Sequence, residues 1–426
     1  MNAGHMARPH FAEAFRAFLK IGLLSFGGPA AQIALMHRVL VEEKAWLSER
    51  QFLNALSFCM LLPGPEAMQL ATYAGWRLHG VLGGFVAGLL FVLPGAAVVL
   101  GLATIYAYLG DVPLVGALFL GVKAAVLAIV VDALLKVAKR ALKGPAQWAI
   151  AGLAFVGIFF LALPFPLIVF AAALYGALFA RAADGQDVAT TAARVPIART
   201  IRTVALGLVV WLLPVAALAV GLGPEIVGDV GLFFSKLAVV TFGGAYAVLA
   251  YMAQDVVTGY GWLTAGEMLD GLGLAETTPG PLILVTEFVG FLAAFRAGGL
   301  WLGLAGAAMT LWATFAPCFL WIFAGAPYVE RIAEAPRLAG ALQAITAAVV
   351  GVILNLSLWF ALHVLFAEVV REQAGPFVLW RPDVATLDWR VLVLGALAAL
   401  LLFWRRWGVA QVLGVSAALG LALSYV

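Results

Sequence analysis

The sequence predicts an all-α, polytopic membrane protein, and three observations support this fold class. Of the 426 residues, 64% are hydrophobic and 11% are charged, whereas a soluble domain has about 45–50% apolar and about 25% charged residues. The mean hydropathy of +1.05 excludes a soluble globular enzyme. The apolar runs are continuous, which excludes the alternating pattern of a membrane β-barrel. Since one spanning helix needs about 20 residues, the chain can supply about ten to thirteen spans.

Thirteen apolar segments are predicted along the chain. They cover residues 18–40, 52–75, 81–107, 112–135, 146–162, 167–180, 204–222, 231–253, 268–291, 299–323, 338–363, 390–404 and 408–425. Basic residues cluster after the fourth segment, between Lys136 and Lys143, and after the sixth, between Arg181 and Arg202. Because basic loops stay in the cytoplasm, we expect an inner-membrane protein with its N-terminus in the cytoplasm and its C-terminus outside.

The chain contains an internal repeat. A shift of 216 residues aligns 18–65 with 234–281 without a gap, and 16 of these 48 positions are identical. Phe26-Gly27-Gly28 faces Phe242-Gly243-Gly244, and Pro63-Gly64-Pro65 faces Pro279-Gly280-Pro281. The predicted domains are therefore an N-terminal repeat (11–180), a cytoplasmic linker (181–203), a C-terminal repeat (204–364) and a two-span tail (365–426).

The two repeats are expected to have opposite orientations in the membrane, because seven predicted spans separate their starts. Inverted repeats with broken helices are the architecture of secondary transporters, which hold their substrate near the midplane. The alternative is a duplicated scaffold that transports nothing.

Glycine and proline motifs break the predicted helices at matched positions of both repeats. A broken helix inside a bilayer must face protein or a water-lined cavity, and helix N-termini facing such a cavity favour an anion. We therefore predict a central anion site. The alternative is close helix packing at small residues. The residues expected to bind substrate are Lys20, Ser25, Gly27, Gly28, Pro63, Gly64, Pro65, Glu66, Gln69, Lys236, Thr241, Gly243, Gly244, Thr277, Thr278, Pro279, Gly280 and Pro281.

Ionisable residues inside apolar segments are the second signal, since each costs at least about 2.5–3.5 kcal/mol to insert. Lys20 and Lys236 occupy equivalent positions and would supply positive charge, unless they snorkel to the interface. The candidates for coupling or charge balance are Lys123, Asp132, Glu276 and Glu287. A simpler interpretation of Asp132 is a pair with Lys136 one turn later.

Nothing in the sequence indicates an enzyme, because the motifs of hydrolases, zinc proteases and nucleotide-binding loops are absent. No metal site, cofactor or nucleic-acid partner is predicted. The expected partners are the lipid bilayer and a transported anion, with protons as a coupling ion. A homodimer is one oligomeric state that the sequence leaves open.

Three stretches resemble the chromate ion transporter family, in its two-domain form. They are Phe26-Gly27-Gly28-Pro29-Ala30-Ala31-Gln32, Trp46-Leu47-Ser48 and Leu61-Leu62-Pro63-Gly64-Pro65-Glu66-Ala67. The second copy, with Glu276-Thr277-Thr278-Pro279-Gly280-Pro281, resembles the C-terminal half of these proteins. Ala245 departs from the pattern, because the first repeat has Pro29 there.

The resemblance implies export of chromate from the cytoplasm and chromate resistance, with sulfate as a chemical analogue. Two alternatives remain at this point. One is a carrier of sulfate or a related anion, working in either direction. The other is a membrane receptor or assembly protein without transport activity.

Overall fold

The protein is described from a computed structural model, which covers residues 9–110, 112–179, 196–240, 242, 245–329 and 336–423. Fifteen α-helices are described in these ranges. They are α1 (Phe11–Leu24), α2 (Gly28–His37), α3 (Glu49–Leu61), α4 (Glu66–Leu109), α5 (Pro113–Ala141), α6 (Pro145–Phe159), α7 (Phe165–Phe179), α8 (Ile197–Ala219), α9 (Glu225–Val240), α10 (Ala245–Gln254), α11 (Ala265–Thr277), α12 (Val285–Gly325), α13 (Pro336–Leu365), α14 (Trp389–Ala399) and α15 (Val409–Leu423).

Five helical stretches are long and apolar enough to cross a membrane among the described residues. They are Glu66–Leu109, Pro113–Ala141, Ile197–Ala219, Leu282–Tyr328 and Arg337–Leu365. Four shorter apolar helices accompany them, at Pro145–Phe159, Phe165–Phe179, Trp389–Trp404 and Val409–Leu423. The structure thus supports a helical membrane protein, while helix length alone gives fewer spans than the thirteen predicted segments.

Several predicted segments are broken within their length. The first, 18–40, contains the end of α1, all of α2 and part of a π-helix at Arg38–Glu43. The ninth, 268–291, contains most of α11, a 3₁₀ turn at Leu282–Leu284 and the start of α12. At 1.5 Å per residue, α3 and α11, with 13 residues each, are about 20 Å long and too short to cross a bilayer core of about 30 Å.

The order of elements repeats with the sequence. Helix α3 at Glu49–Leu61 and helix α11 at Ala265–Thr277 are offset by the same 216 residues as the motifs. Each is preceded by a π-helix, at Arg38–Glu43 and at Asp255–Gly259. Ser48 and Gln51 form a capping box at the start of α3. Thr264 and Glu267 exchange the same pair of hydrogen bonds at the start of α11.

Helices α4 and α12 are each interrupted at matched places, at His79–Gly80 and at Gly298–Gly299. In α4, a Cβ added to Gly75 would overlap the carbonyl oxygen of Gly83, so the two arms pack against each other. In α12, Gly290 and Gly306 approach in the same way. Each long helix is therefore a short arm folded back on a longer one.

The chain forms two compact units, each drawn from both repeats. The first takes its described residues from 1–101, 185–244 and 278–335. In its core α12 packs against α8 and α9. The second takes its described residues from 102–184, 245–277 and 336–426. There α13 packs against α5, α6, α7 and α10, while α14 and α15 pack on α5.

The tail contains the one departure from an all-α fold among the described residues. Strands β1 (Val369–Ala374) and β2 (Phe377–Pro382) pair antiparallel, with Val369 opposite Pro382 and Ala374 opposite Phe377. Gly375 has φ +62 in the connecting turn. Glycine followed by proline suits a tight hairpin turn of type II′, which needs a positive φ at its first central position.

Candidate functional site

The break between α1 and α2 leaves a helix N-terminus without a side-chain cap. Gly27 and Gly28 have φ of +84 and +78, which is the left-handed conformation that favours glycine. Gly27 is the N-cap of α2 and offers no side chain to the first turn, and Pro29 has no N–H to donate. A Cβ on Gly28 would meet nothing within 4 Å. The start of α2 therefore has no side-chain cap and has open space beside Gly28, and an uncapped helix N-terminus can bind an anion.

The Pro-Gly-Pro turn of the second repeat lies directly against this break. The Gly280 N–H donates to the Ser25 carbonyl oxygen at 2.9 Å. The side-chain amide of Gln32 donates to the Gly280 carbonyl oxygen at 2.6 Å and to the Ser25 carbonyl oxygen at 3.3 Å. Gln32 and Ser25 are both buried. One side chain thus fixes the broken helix of the first repeat to the turn of the second.

Each of the two Pro-Gly-Pro turns packs closely against neighbouring residues. A Cβ on Gly64 would lie 2.7 Å from the Cys318 sulfur and 2.9 Å from the Gln69 amide nitrogen. A Cβ on Gly95 of α4 would overlap the Pro279 carbonyl oxygen. Gly64 and Gly280 are therefore closely packed, whereas Gly28 is open, and the role of these glycines in substrate binding stays a prediction.

The polar candidates near these turns are mostly buried and held by local bonds. Gln69 is fully buried and donates to the Pro63 carbonyl oxygen at 2.7 Å. Glu66 is the first residue of α4 and is half-buried. The Thr277 hydroxyl is exposed and donates to the Leu274 carbonyl oxygen at 2.8 Å. Thr278 and Glu276 are buried.

The two matched lysines are exposed on their helices. Lys20 lies on α1, and its ammonium nitrogen is 3.6 Å from a Glu43 carboxylate oxygen. Lys236 lies at the equivalent position on α9. Of the remaining candidates in the second repeat, Thr241, Gly243 and Gly244 lie outside the described residues. The role predicted for these lysines stays a prediction.

Lys123 takes part in a buried cluster that the sequence did not reveal. Its ammonium nitrogen is 3.3 Å from Asp270 Oδ2, and the Tyr106 hydroxyl donates to the same oxygen at 2.7 Å. The Asp270 side chain is only 4% exposed, and its other oxygen makes no hydrogen bond among the described residues. A Cβ on Gly266 would lie 3.2 Å from the Lys123 nitrogen. The cluster joins α4, α5 and α11.

The other acidic candidates differ from one another. Asp132 forms an ion pair with Lys136 at 2.5 Å, as the simpler interpretation predicted. Glu287 on α12 is 1% exposed, and its Oε2 has no hydrogen-bond partner in the described part of the chain. Within those same ranges no group of three or more His, Cys, Asp or Glu side chains could hold a metal ion.

Helices of spanning length, matched helix breaks and a buried ionic cluster define a polytopic membrane protein of the transporter class. A family model described as "Chromate transporter" matches residues 12–177 and 228–421. The chain therefore belongs to the chromate transporter family.

Curated relatives match over most of their length. A "Chromate transport protein" of Pseudomonas aeruginosa is 35% identical over 80% of this chain and 79% of that protein. One of Cupriavidus metallidurans is 31% identical over 79% of each chain. An uncharacterized transporter of Methanocaldococcus jannaschii is 27% identical over 84% of this chain and 86% of its own. No solved structure gives a significant match.

Proposed function

We propose that this chain is a secondary transporter that exports chromate, a tetrahedral oxyanion, across the inner membrane. Family membership and the curated chromate transport proteins support the substrate. The structural observation that carries the proposal is the N-terminus of α2 at Gly27–Gly28, which has no side-chain cap and has open space beside Gly28. Backbone N–H groups at a helix N-terminus bind tetrahedral oxyanions through hydrogen bonds and the helix dipole.

The direction of transport follows from the charge of the substrate. Moving one charge through 100 mV is worth about 2.3 kcal/mol, so an inside-negative potential favours exit of a dianion by about 4.6 kcal/mol per 100 mV. Uptake against the same potential would require more than two co-transported protons. Glu276, Glu287, Lys123 and Asp132 are the residues we propose for such coupling or for charge balance.

The mechanism we propose is alternating access by two inverted repeats that move around the bound oxyanion. The matched helices and helix breaks support a repeat, and the basic loops support a cytoplasmic N-terminus. Gly243–Gly244 and the helix starts after the two Pro-Gly-Pro turns would complete the site, with charge from Lys20 and Lys236. A homodimer is compatible with this mechanism but is not required by it.

Purified protein in liposomes tests the proposal. Liposomes loaded with radiolabelled chromate should release it faster under an inside-negative potassium diffusion potential than at zero potential. Unlabelled chromate on the opposite side should accelerate the exchange. Potential-independent release, or no protein-dependent flux under any gradient, would contradict transport by this mechanism.

A carrier of sulfate or a related anion is the second candidate. Backbone N–H donors recognise charge and tetrahedral shape, which chromate and sulfate share, so the α2 terminus is compatible with either ion. The same liposomes separate them: exchange accelerated only by sulfate would favour the second candidate over the first.

A further inference from the structure

The second compact unit contains a small polar cavity that is separate from the α2 terminus. Its volume is about 90 Å³, which is enough for an ion and a few water molecules. The walls come from the turn between α6 and α7, the end of α10 with the π-helix that follows, and the middle of α13. Its polar side chains are Tyr251, Gln254, Asp255 and Asn355.

Asn355 has an unused amide that lines this cavity. The residue is 7% exposed, and the side-chain hydrogen bonds within α13 are made by Thr346, Ser357 and His363. It lies within α13, a helix long enough to span the membrane. Leaving a polar side chain unpaired in such a place is unfavourable, so the amide indicates that something polar occupies the cavity.

Asp255 supplies one negative charge to the same wall. It begins the π-helix Asp255–Gly259, and π-turns within helices are frequent at functional sites. The Tyr251 hydroxyl donates to its carboxylate, and the Tyr251 ring stacks on Phe165 at 5.7 Å between centroids. The carboxylate is therefore positioned by its own helix and by the α7 side of the cavity.

The turn that closes the cavity is strained. Ala162 has φ +49, a conformation that costs an L-residue about 1–2 kcal/mol. Leu163 donates its N–H to the Gly157 carbonyl oxygen at 2.9 Å, which holds the turn in place. Such strain clusters at ligand sites, where the surrounding structure maintains it.

The hydroxyl of Tyr251 and the carboxylate of Asp255 have no counterpart in the first repeat. The 216-residue shift places Leu35 and Val39 opposite Tyr251 and Asp255. The first repeat thus has no carboxylate or hydroxyl at these two positions. The fold that the two repeats share therefore does not explain why positions 251 and 255 are polar.

We propose that Asp255, Asn355, Gln254 and Tyr251 bind a small monovalent cation, with sodium as the representative ion. Alkali ions take oxygen ligands, and this wall offers a carboxylate, two amide oxygens and a hydroxyl. One carboxylate balances one positive charge, which keeps the occupied site neutral. A divalent ion would leave a net charge there.

The test is thermal unfolding of the purified full chain in detergent, without chromate, in sodium, potassium or choline chloride at equal concentration. Sodium or potassium should raise the Tm above its value in choline, in a concentration-dependent manner. Asp255→Asn and Asn355→Leu should each weaken the apparent affinity at least tenfold. Tyr251→Phe keeps the ring and tests the hydroxyl if the other variants do not fold.

Ser357→Ala is the matched control, since Ser357 is also buried on α13 and its hydroxyl bonds the Ile353 carbonyl within the helix. Its cation response should equal that of the unmodified chain. Equal Tm values in sodium, potassium and choline would overturn the site. A full response retained in all three cavity variants would do the same. Because the readout is ion binding without chromate, the result is independent of the proposed transport activity.

Discussion

The Gln32 side chain bridges the two repeats through the backbone of Gly280, at a distance of 2.6 Å between its amide nitrogen and the carbonyl oxygen. The same amide reaches the Ser25 carbonyl oxygen at the helix break. A shift of either repeat at this point must break or remake these bonds. The contact therefore couples the geometry of the uncapped α2 terminus to the second repeat.

Replacing Gln32 by methionine should lower the rate of chromate efflux by more than the loss of folded protein explains. The buried Ser25 and Gly280 carbonyls would lose a donor, which costs about 1–3 kcal/mol, and the α2 terminus would lose its fixed position. Thr72→Val is the control, because Thr72 is equally buried and its hydroxyl bonds the Met68 carbonyl of its own helix. Tm and efflux are measured for both. Equal losses of efflux at equal stability would contradict the bridging role.

Breaking the Lys123–Asp270 pair should destabilise the protein. Removing one partner of a buried pair costs about 3–5 kcal/mol, and we expect the lower part of this range because the Lys123 side chain is 26% exposed. Lys123→Met and Asp270→Asn should each lower the Tm, and the double variant should recover part of it. Lys136→Met is the control, since one exposed i,i+4 pair contributes about 0.5 kcal/mol or less.

The same double variant separates stability from transport. If the pair serves coupling or charge balance, the double variant should fold and still fail to transport chromate. Normal efflux from a stable double variant would restrict the pair to a structural role.

The lysines on α1 and α9 should contribute charge to oxyanion binding. Lys20→Ala and Lys236→Ala are each expected to weaken chromate affinity several-fold, as measured by calorimetry, and Lys136→Ala is expected to leave it unchanged. Since Glu43 lies 3.6 Å from the Lys20 nitrogen, Glu43→Gln should free that charge and tighten binding. Unchanged affinity in both alanine variants would remove the lysines from the site.

The inverted orientation of the repeats predicts opposite accessibility of equivalent positions. Cysteines replacing Lys20 and Lys236 should react with an impermeant maleimide from opposite sides of the membrane, position 236 in intact cells and position 20 only after permeabilisation. The native Cys59 and Cys318 are buried and give a low background. Labelling of both positions from one side would show parallel repeats.

The helix breaks of the two repeats could be predicted from the sequence, because a helix breaks at glycine and proline within it. The positive φ values of Gly27, Gly28, Gly64 and Gly280 follow the predicted motifs. Gly375-Pro376 is typical of a hairpin turn, but the sequence analysis predicted helices alone, so the hairpin of the tail was missed. The 216-residue shift pairs Asp270 with Asn54, so the repeat gave no indication of the acidic cluster.

These local patterns could not predict tertiary contacts. Tyr106, Lys123 and Asp270 come from three helices, and only packing brings their side chains together. Gln32 stands in the recognised motif, but its bond to a residue 248 positions away has no local signal. The cavity at Asp255 and Asn355 likewise depends on the packing of α10 and α13.

Chromate efflux from liposomes carrying Gly28→Ala, compared with Gly299→Ala, tests the central claim most directly. Both glycines have a strongly positive φ and open space around the missing Cβ, so both variants strain the backbone by about 1–3 kcal/mol without a steric clash. Only Gly28 lies at the α2 terminus. Weakening a charge-assisted hydrogen bond costs about 1.5–3 kcal/mol, so Gly28→Ala should lower chromate affinity about tenfold or more. Gly299→Ala should stay within twofold of the unmodified chain, and equal effects of the two changes would contradict oxyanion binding at the start of α2.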